Sequence, residues 1–349
     1  MGFYMKYFCY ECGELLDEVV VPRCRECGGV YTLEYDYVES NHIFKELMGN
    51  GKITHWKYHD FMPIKFHNIP VVLTMGEGGT PLLNNTKLRV NPSSDLYFKC
   101  EFMNPTGSFK DRASALELTL AQGYSEIVVA TTGNMGASLS AYAALSGKKI
   151  IVFMPEGIHN SKIDQMKMYG AIINTVEGTY TDAMIAAENY YVTHPDSYLA
   201  GDYGVRIEGT KSIGFEICEQ LEWGVPDYII TPVGNGTLLY SIYKAFMDLL
   251  CLEIINKMPK IIGVKSDSPK DTIASAIACP DPNLNYVVNE IADKIISVTD
   301  DEIMEARQTL AKNGFFVEPG GAAAYAGLRK LNMEGTTVCL LTGHGLKGI

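Results

Sequence analysis

The feature that most constrains the fold is an alternation of short apolar runs with longer helix-forming stretches. The runs have the length and β-branched content of buried strands. They occupy residues 96–101, 127–130, 149–154, 171–176, 228–233, 261–264 and 337–341. Strands separated by helices pair in parallel, because the connecting helix carries the chain back across one face of the sheet. The sequence therefore predicts an α/β protein with mostly parallel sheets.

A single lysine stands where one of these strands gives way to a helix. Residues 104–110, the lysine turn, read Asn-Pro-Thr-Gly-Ser-Phe-Lys and separate the strand at 96–101 from a helix predicted over 113–120. Desolvation and a nearby helix N-terminus both lower the pKa of an amine and make it a nucleophile toward a carbonyl. Position alone favours a solvated surface lysine, so the hypothesis for Lys110 depends on two further loops.

The first of these, the donor loop, is residues 131–136, which read Thr-Thr-Gly-Asn-Met-Gly between a strand and a helix predicted over 137–146. The amides and hydroxyls of Thr131, Thr132 and Gly133 suit a carboxylate, and Asn134 suits a ring oxygen. An ordinary strand-to-helix turn is the alternative interpretation.

The second, the glycine loop, is residues 232–237, which read Pro-Val-Gly-Asn-Gly-Thr before a helix predicted over 238–250. Its two glycines allow backbone amides to close around a phosphate. The loop matches neither the dinucleotide fingerprint nor the Walker motif, and alone it is a weak signal.

Taken in this order, the lysine turn and the two loops resemble the fold-type-II family of pyridoxal-phosphate enzymes, most closely the threonine synthases. The resemblance runs from about residue 76 to 347 and includes motifs at 76–82, 206–211, 317–319 and 341–347. The last of these points to the threonine synthases. The resemblance implies a tryptophan synthase β-like fold, with two α/β domains behind a small N-terminal ribbon.

The resemblance also implies roles for individual residues. Lys110 would bind pyridoxal phosphate covalently and later act as acid and base, and Asn134 would contact the phenolic oxygen of the cofactor. The phosphate cup would comprise Gly234, Asn235, Gly236 and Thr237. Thr342 would face the pyridine nitrogen, where a neutral hydroxyl moderates the electron sink. A buried strand threonine bonded to backbone is compatible with that role.

Two cysteine pairs near the N-terminus have the spacing of a zinc site. Cys9 and Cys12 form one C-x2-C knuckle, and Cys24 and Cys27 form a second after eleven intervening residues. Four thiolates on two tight turns give a closed tetrahedral site of structural zinc. Disulfides are the alternative, but the chain has no secretory signal and carries five further scattered cysteines.

A chain of net charge −12 must concentrate positive charge locally to bind a doubly anionic substrate. The candidate substrate cations are Lys162, Arg206 and Lys211, with Lys99 and Arg112 behind them. For each of them a solvated or structural cation is the alternative.

The chain departs from the threonine synthase pattern at three places. Residues 200–205 read Ala-Gly-Asp-Tyr-Gly-Val, where threonine synthases commonly carry Asn-Ser and Asn-Pro pairs that help hold substrate. Met135 and Gly136 replace a Thr-Ser pair. Residues 318–322 lie between the patterns of threonine synthases and of the related dehydratases.

Length and composition fit a ribbon followed by two α/β domains. At 349 residues, with 47% hydrophobic and 20% charged residues, the chain can bury two cores. Behind a predicted ribbon at 1–36, the resemblance implies a large domain at 37–97 and 223–349 and a small mobile domain at 98–222. No apolar run is long enough to span a bilayer. The acidic balance argues against nucleic-acid binding. We expect a cytoplasmic protein, and the resemblance suggests a homodimer.

The predicted function is that of a threonine synthase, which makes L-threonine and phosphate from O-phospho-L-homoserine and water. Three alternatives remain at this point. They are a serine/threonine dehydratase, a β-replacement enzyme that uses O-phosphoserine, as cysteine or cysteate synthases do, and a zinc-ribbon interaction protein on a decayed catalytic scaffold.

Overall fold

The computed structural model describes residues 4–16, 23–36, 49, 51–64, 72–158, 161–201, 204–282 and 284–348. Its strands are β1 (Tyr4–Cys9), β2 (Leu15–Leu16), β3 (Tyr31–Asp36), β4 (Leu82–Asn84), β5 (Ser94–Lys99), β6 (Glu126–Ala130), β7 (Lys149–Pro155), β8 (Ile172–Val176), β9 (Ser197–Leu199), β10 (Tyr228–Pro232), β11 (Lys260–Ser266), β12 (Lys294–Val298) and β13 (Gly335–Leu340). Its α-helices are α1 (Lys110–Leu120), α2 (Asn134–Leu145), α3 (Ser161–Met168), α4 (Tyr180–Thr193), α5 (Gly204–Thr210), α6 (Ser212–Gln220), α7 (Thr237–Cys251), α8 (Asn285–Ile291), α9 (Asp300–Lys312) and α10 (Pro319–Leu328).

These strands form three sheets. The small N-terminal sheet has the order β2-β1-β3, a four-stranded sheet has the order β8-β7-β6-β9, and a six-stranded sheet has the order β12-β11-β10-β13-β5-β4. Every pair in the two larger sheets is parallel except β4 with β5. The predicted fold class is confirmed. Among the described helices, none is both long and apolar enough to cross a membrane.

Both faces of the four-stranded sheet are covered by helices, which explains its continuous apolar strands. In β6, Ile127 and Val129 point into a cluster with Leu118 of α1. Val128, between them, points into a second cluster with Ala183 of α4. Successive strand residues face opposite sides, so a run without polar residues is required here.

The six-stranded sheet follows the same rule. In β10, Ile229 packs in a cluster with Phe246 of α7, and Ile230 packs with Ala323 of α10. The helix after β10 therefore covers one face of the sheet, and the helix before β13 covers the other.

Residues at both ends of the predicted small domain belong to or pack with the six-stranded sheet. The boundary between residues 97 and 98 falls inside β5, which ends at Lys99. Helix α6 precedes the boundary at 222, yet its Phe215 packs in the same cluster as Phe246. The predicted end of the ribbon at 36 coincides with the last residue of β3.

Two helices begin three residues earlier than the sequence predicts. Helix α1 starts at Lys110 rather than at residue 113, and α2 starts at Asn134 rather than at residue 137. In the second case Gly133 is extended, with φ −129° and ψ −156°, and the helical conformation starts directly after it. Lys110 and Asn134 therefore both lie in the first turn of a helix, where backbone N–H groups lack intrahelical partners.

The N-terminal ribbon docks on α7 and α8. The Tyr10 ring contacts the rings of Tyr240 and Tyr286, and its hydroxyl donates to Glu290 at 2.9 Å. The Thr32 and Tyr240 hydroxyls lie 3.0 Å apart. The ribbon is thus attached to the helix that follows the glycine loop.

A buried cluster of charges fixes the start of α1. Arg112 is fully buried and donates to Glu101 at 2.7 Å and to Glu216 of α6 at 2.6 Å. Lys99, equally buried, donates to Glu216 at 2.6 Å. Sequence reasoning placed Lys99 and Arg112 behind the substrate cations, but buried carboxylates match both charges. Removing one partner of such a pair costs about 3–5 kcal/mol.

The imidazole of His55 lies beside this cluster. It is fully buried, and its Nδ1 is 2.8 Å from the Ser212 hydroxyl. Burial lowers the pKa of His55 from 6.5 to about 3, and the charge of Arg112 acts in the same direction. The folded protein therefore holds this ring neutral over a range in which the unfolded chain is protonated.

We expect the free energy of unfolding to fall as the pH drops below 6.5, because the unfolded state binds a proton that folded His55 does not. This group contributes a slope of up to about 1.4 kcal/mol per pH unit. Urea denaturation between pH 6.5 and 5 should show a shallower slope in His55→Gln. The exposed His59 provides the control His59→Gln, whose slope should match the wild type; equal slopes in all three proteins would contradict the prediction.

Candidate active site

The segments that carry the predicted site residues lie at the carboxyl ends of parallel strands. The lysine turn follows β5, the donor loop follows β6, the glycine loop follows β10, and Thr342 follows β13. Open parallel sheets bind ligands at this edge. The Phe109 N–H donates to the Thr342 carbonyl at 3.2 Å, so two of these segments are joined directly.

Lys110 is the first residue of α1 and is partly exposed. Its ammonium lies 5.0 Å from the centre of the Phe109 ring. Its carbonyl oxygen accepts a hydrogen bond from Arg206 at 3.5 Å. The neighbouring Phe109 N–H is bonded to the Thr342 carbonyl, so the backbone on both sides of the side chain is held. An amine carried by a held backbone at a helix N-terminus fits the role of a nucleophile.

Asp111 organises the lysine turn, and sequence reasoning did not single it out. Its carboxylate accepts from the Thr106 N–H at 2.7 Å, from the Thr106 hydroxyl at 2.5 Å and from the Ser138 hydroxyl of α2 at 2.6 Å. Complete burial raises the pKa of Asp111 to about 6. Lys347 donates to the Thr106 carbonyl at 2.7 Å. Two features of the sequence could have indicated these contacts. They are the acidic residue directly after Lys110 and the lysine that closes the 341–347 motif.

Asn134 and Glu318 meet across the site. The Asn134 amide is nearly buried, and its Nδ2 donates to Glu318 Oε1 at 2.5 Å. Its Oδ1 is buried without a hydrogen-bond partner. An unpartnered buried polar atom calls for a ligand or water, as a residue that contacts a cofactor would.

The glycine loop forms a cradle at the N-terminus of α7. Gly236 has φ +97°, a left-handed conformation that side chains rarely adopt, and it precedes the helix directly. A Cβ on Gly234 would approach the Ala276 carbonyl to 2.8 Å. The Thr237 hydroxyl is buried and has no partner. Backbone N–H groups at a helix start, beside a free hydroxyl, fit a phosphate group.

Thr342 is buried and lies two residues after the end of β13. Its carbonyl accepts from Phe109, and the adjacent Gly343 carbonyl accepts from the Glu318 N–H at 2.9 Å. The structure therefore contains the buried, backbone-bonded threonine that the sequence allowed, and this is compatible with a role for Thr342 at the pyridine nitrogen.

The donor loop is closely packed where its sequence departs from the family pattern. A Cβ on Gly136 would lie 2.5 Å from Thr131 and from Met166, so glycine is required for these side chains to approach. The Thr131 hydroxyl accepts from the Gly133 N–H at 3.3 Å. Around Gly133 there is open space, where a small ligand has access to the loop.

The predicted substrate cations occupy three different environments. Lys162 pairs with Glu318 at 2.9 Å and also donates to Ser275 at 3.1 Å. It therefore lies beside the site.

Arg206 is fully buried and pairs with Glu117 at 2.5 Å. Its guanidinium contacts the site by donating to the Lys110 carbonyl at 3.5 Å. Of the departing segment at 200–205, Ala200 and Gly201 offer no side-chain donors, and residues 202–203 lie outside the described part of the chain.

Lys211 has a different place from the one predicted. It pairs with Glu208 at 2.5 Å and with Asp248 at 2.7 Å, and it lies 4.3 Å from the centre of the Tyr35 ring in the ribbon. Its charge belongs to the contact between the ribbon and the body of the protein.

The four N-terminal cysteines converge as their spacing predicts. The sulfur atoms of Cys9, Cys12, Cys24 and Cys27 all lie within 4.8 Å of one another. The Sγ–Sγ distances are 3.4 Å for Cys9–Cys27 and 3.6 Å for Cys12–Cys24. Ligands at the usual zinc–sulfur distance of about 2.3 Å in a tetrahedron lie about 3.8 Å apart. The donor set therefore fits zinc.

Comparison with known families identifies this arrangement. Residues 73–343 match the family model described as pyridoxal-phosphate dependent enzyme. The chain belongs to this family. The match covers the lysine turn, both loops and Thr342, and the resemblance stated from the sequence is confirmed.

The curated relatives are similar over almost their whole length. Threonine synthase from Methanocaldococcus jannaschii is 37% identical, with 97% of this chain and 92% of that protein covered. Threonine synthase from Methanosarcina acetivorans is 35% identical, with 97% and 91% covered. The predicted function agrees with these relatives.

Solved structures show the same fold. Maize serine racemase superposes with a TM-score of 0.68 at 21% identity, covering 76% of this chain and 88% of that one. Cysteine synthase from Entamoeba histolytica gives 0.68 at 22% identity, with 77% and 86% covered. At such low identity these structures support the fold alone.

The cradle leads to a prediction about cofactor affinity. In Gly236→Ala the new Cβ would lie 2.7 Å from Val288 and 2.9 Å from Leu284, at a φ that disfavours alanine. Strain of about 1–2 kcal/mol at this position should weaken pyridoxal phosphate binding by about tenfold or more. A fluorescence titration of the cofactor-free protein measures this affinity. Gly123→Ala, at an exposed glycine with open space around it, is the control; unchanged affinity in a folded Gly236→Ala would refute the cradle.

Proposed function

We propose that the protein is a threonine synthase, which converts O-phospho-L-homoserine and water to L-threonine and phosphate. The observation that carries the proposal is the placement of Lys110, Asn134 and the glycine loop at one set of strand ends. This arrangement occurs in a chain 37% identical to a threonine synthase over 97% of its length. The fold and the relatives support the same chemistry.

Each segment of the site has a proposed task. The glycine loop, with the Thr237 hydroxyl and the start of α7, holds the cofactor phosphate. Asn134 binds the phenolic oxygen, and Thr342 faces the pyridine nitrogen. When bound, pyridoxal phosphate withdraws electrons from the substrate α-carbon. Lys110 would remove protons from Cα and Cβ so that phosphate leaves from Cγ, and its amine would return protons to Cγ and Cα as water adds at Cβ.

The substrate side of the proposal involves fewer residues than the sequence suggested. Thr131, Thr132 and Gly133 hold the substrate carboxylate at the open side of the donor loop. Lys162 is kept as a candidate cation at the site, with its ammonium already paired to Glu318 at 2.9 Å. Lys211 is left out, because two carboxylates already bind it within the contact with the ribbon.

A second function is favoured by one observation. Arg206, a predicted cation for an anionic substrate, is fully buried and pairs with Glu117 at 2.5 Å. Ala200 and Gly201 add no side-chain donor. A site with less positive charge suits a substrate without phosphate, so a serine/threonine dehydratase is the second candidate.

We further propose a homodimer. Exposed apolar side chains, including Met103 at 57% and Leu346 at 62%, surround a hollow of about 800 Å³ beside the lysine turn. Apolar surface of this kind is typical of a protein contact. The expected cytoplasmic location stays a prediction.

We also propose that the four cysteines bind one structural zinc ion. A closed set of four thiolates leaves no open coordination position for a reactant. The role of the ion is to hold together a ribbon whose own apolar core is small.

A product assay tests the function. With O-phospho-L-homoserine, the cofactor-loaded protein should release phosphate and threonine in equal amounts. Lys110→Ala should still bind the cofactor but lose at least about 10²–10⁴-fold of the turnover, because it lacks the acid–base amine. Lys149→Ala removes an exposed lysine and should be fully active. Full activity of Lys110→Ala would overturn the assignment, and 2-oxobutyrate formed from threonine without phosphate release would establish the dehydratase.

Metal analysis tests the zinc site. Protein produced with zinc in the medium should contain about one zinc per chain. Cys12→Ser should lower both the zinc content and the melting temperature, whereas Cys251→Ser, at an exposed cysteine outside the cluster, should change neither. A zinc-free wild-type protein of unchanged stability would exclude a structural metal.

A further inference from the structure

Glu318 is a buried carboxylate that connects the two α/β units across the site. It is 2% exposed. Its Oε1 accepts from Asn134 at 2.5 Å, and its Oε2 pairs with Lys162 at 2.9 Å. Asn134 and Lys162 belong to helices around the four-stranded sheet, whereas Glu318 precedes α10 on the six-stranded sheet. One side chain therefore receives a contact from each of two helices on the opposite side of the site.

The backbone holds this carboxylate in place. The Glu318 N–H donates to the Gly343 carbonyl at 2.9 Å. A Cβ on Gly343 would lie 2.1 Å from Glu318 Oε1, so the side chain fills the space that this glycine leaves. Glu318 is also the N-cap residue of α10, where a negative charge is favourable.

The chemistry of a carboxylate determines how the Asn134 amide is oriented. An ionised carboxylate only accepts hydrogen bonds, so Asn134 must present its NH₂ group to Glu318. One N–H of the Asn134 amide is then bonded to Glu318, and the second N–H on the same nitrogen can donate to another acceptor. Its Oδ1 points away from Glu318 and is buried without a partner.

Lys162 makes this arrangement tolerable inside the protein. A lone buried carboxylate is costly, but the ammonium of Lys162 balances its charge. Lys162 is 5% exposed and is itself anchored by Ser275 at 3.1 Å. The lysine thus occupies Oε2 and leaves Oε1 to the amide.

We propose that Glu318, with Lys162 as its counter-ion, is a positioning residue that fixes the amide of Asn134 for binding the cofactor's ring oxygen. The inference rests on the proposed function only in assigning Asn134 to the cofactor. It adds that the orientation of the amide is set from the opposite unit. It also adds that Lys162 is the counter-ion of the Glu318 carboxylate.

The experiment uses the cofactor-loaded protein and reads the bound cofactor rather than the product. The absorption spectrum of bound pyridoxal phosphate as a function of pH, and its dissociation constant, are measured for Glu318→Gln, Asn134→Ala and the double variant. Glutamine donates as well as accepts, so the amide loses its fixed orientation. We expect Glu318→Gln to change the pH at which the spectrum changes and to weaken binding by about 10-fold or more.

The double variant distinguishes positioning from an independent role. If Glu318 acts through Asn134, Glu318→Gln should add no further loss of affinity to Asn134→Ala. Fully additive losses, or a wild-type spectrum and affinity in Glu318→Gln, would overturn the proposal. These readouts do not require threonine to be formed, so a failure of the proposed function is seen separately in the product assay.

Two further variants guard against a trivial loss of folding. Glu318→Asp keeps the charge beside Lys162 but withdraws the carboxylate from Asn134, so it should reproduce the spectral change with the melting temperature preserved. Glu305→Gln removes a carboxylate that is 69% exposed on α9 and should leave spectrum and affinity unchanged. A wild-type spectrum in Glu318→Asp together with a collapsed fold in Glu318→Gln would identify Glu318 as a structural residue and reject the positioning role.

Discussion

The buried guanidinium of Arg112 is the interaction on which the rest of the site depends. It joins three parts of the chain, namely Glu101 two residues after β5, the first turn of α1, and Glu216 in α6. None of these groups is exposed. Because an unmatched charge in that position is so unfavourable, the three segments keep one relative arrangement. Lys110 lies only two residues before Arg112 and is held in place with it.

Two further sets of contacts connect the Arg112 cluster with the strand ends that carry the site. Asp111 ties the lysine turn to α2 through Ser138, and α2 begins with Asn134. Glu318 then connects Asn134 to the backbone of Gly343, next to Thr342. Each contact joins elements that are far apart in sequence, so the site is assembled by the fold as a whole and by no single motif.

The sequence predicts the parts of the site that depend on local patterns. Turn residues ahead of Lys110, and the glycines 234 and 236, are local signals of chain direction and close approach, and the structure contains both turns. The partners of charged residues are different. Asn134 and Glu318 are separated by 184 positions, and Arg206 and Glu117 by 89. No periodicity connects such pairs, so a fully matched core cation such as Lys211 has the same sequence appearance as a substrate-binding one.

The docking of the ribbon has a consequence for how the chain is made. Thr32 contacts Tyr240, which lies 208 residues later, so the ribbon is synthesised before α7, the helix that it docks on, has emerged. At about 5–20 residues per second, that interval is about 10–40 s. During this time the face that carries Val30, buried in the finished protein against Tyr240, is exposed on the nascent chain. The ribbon thus leaves the ribosome well before the helix that it finally packs against.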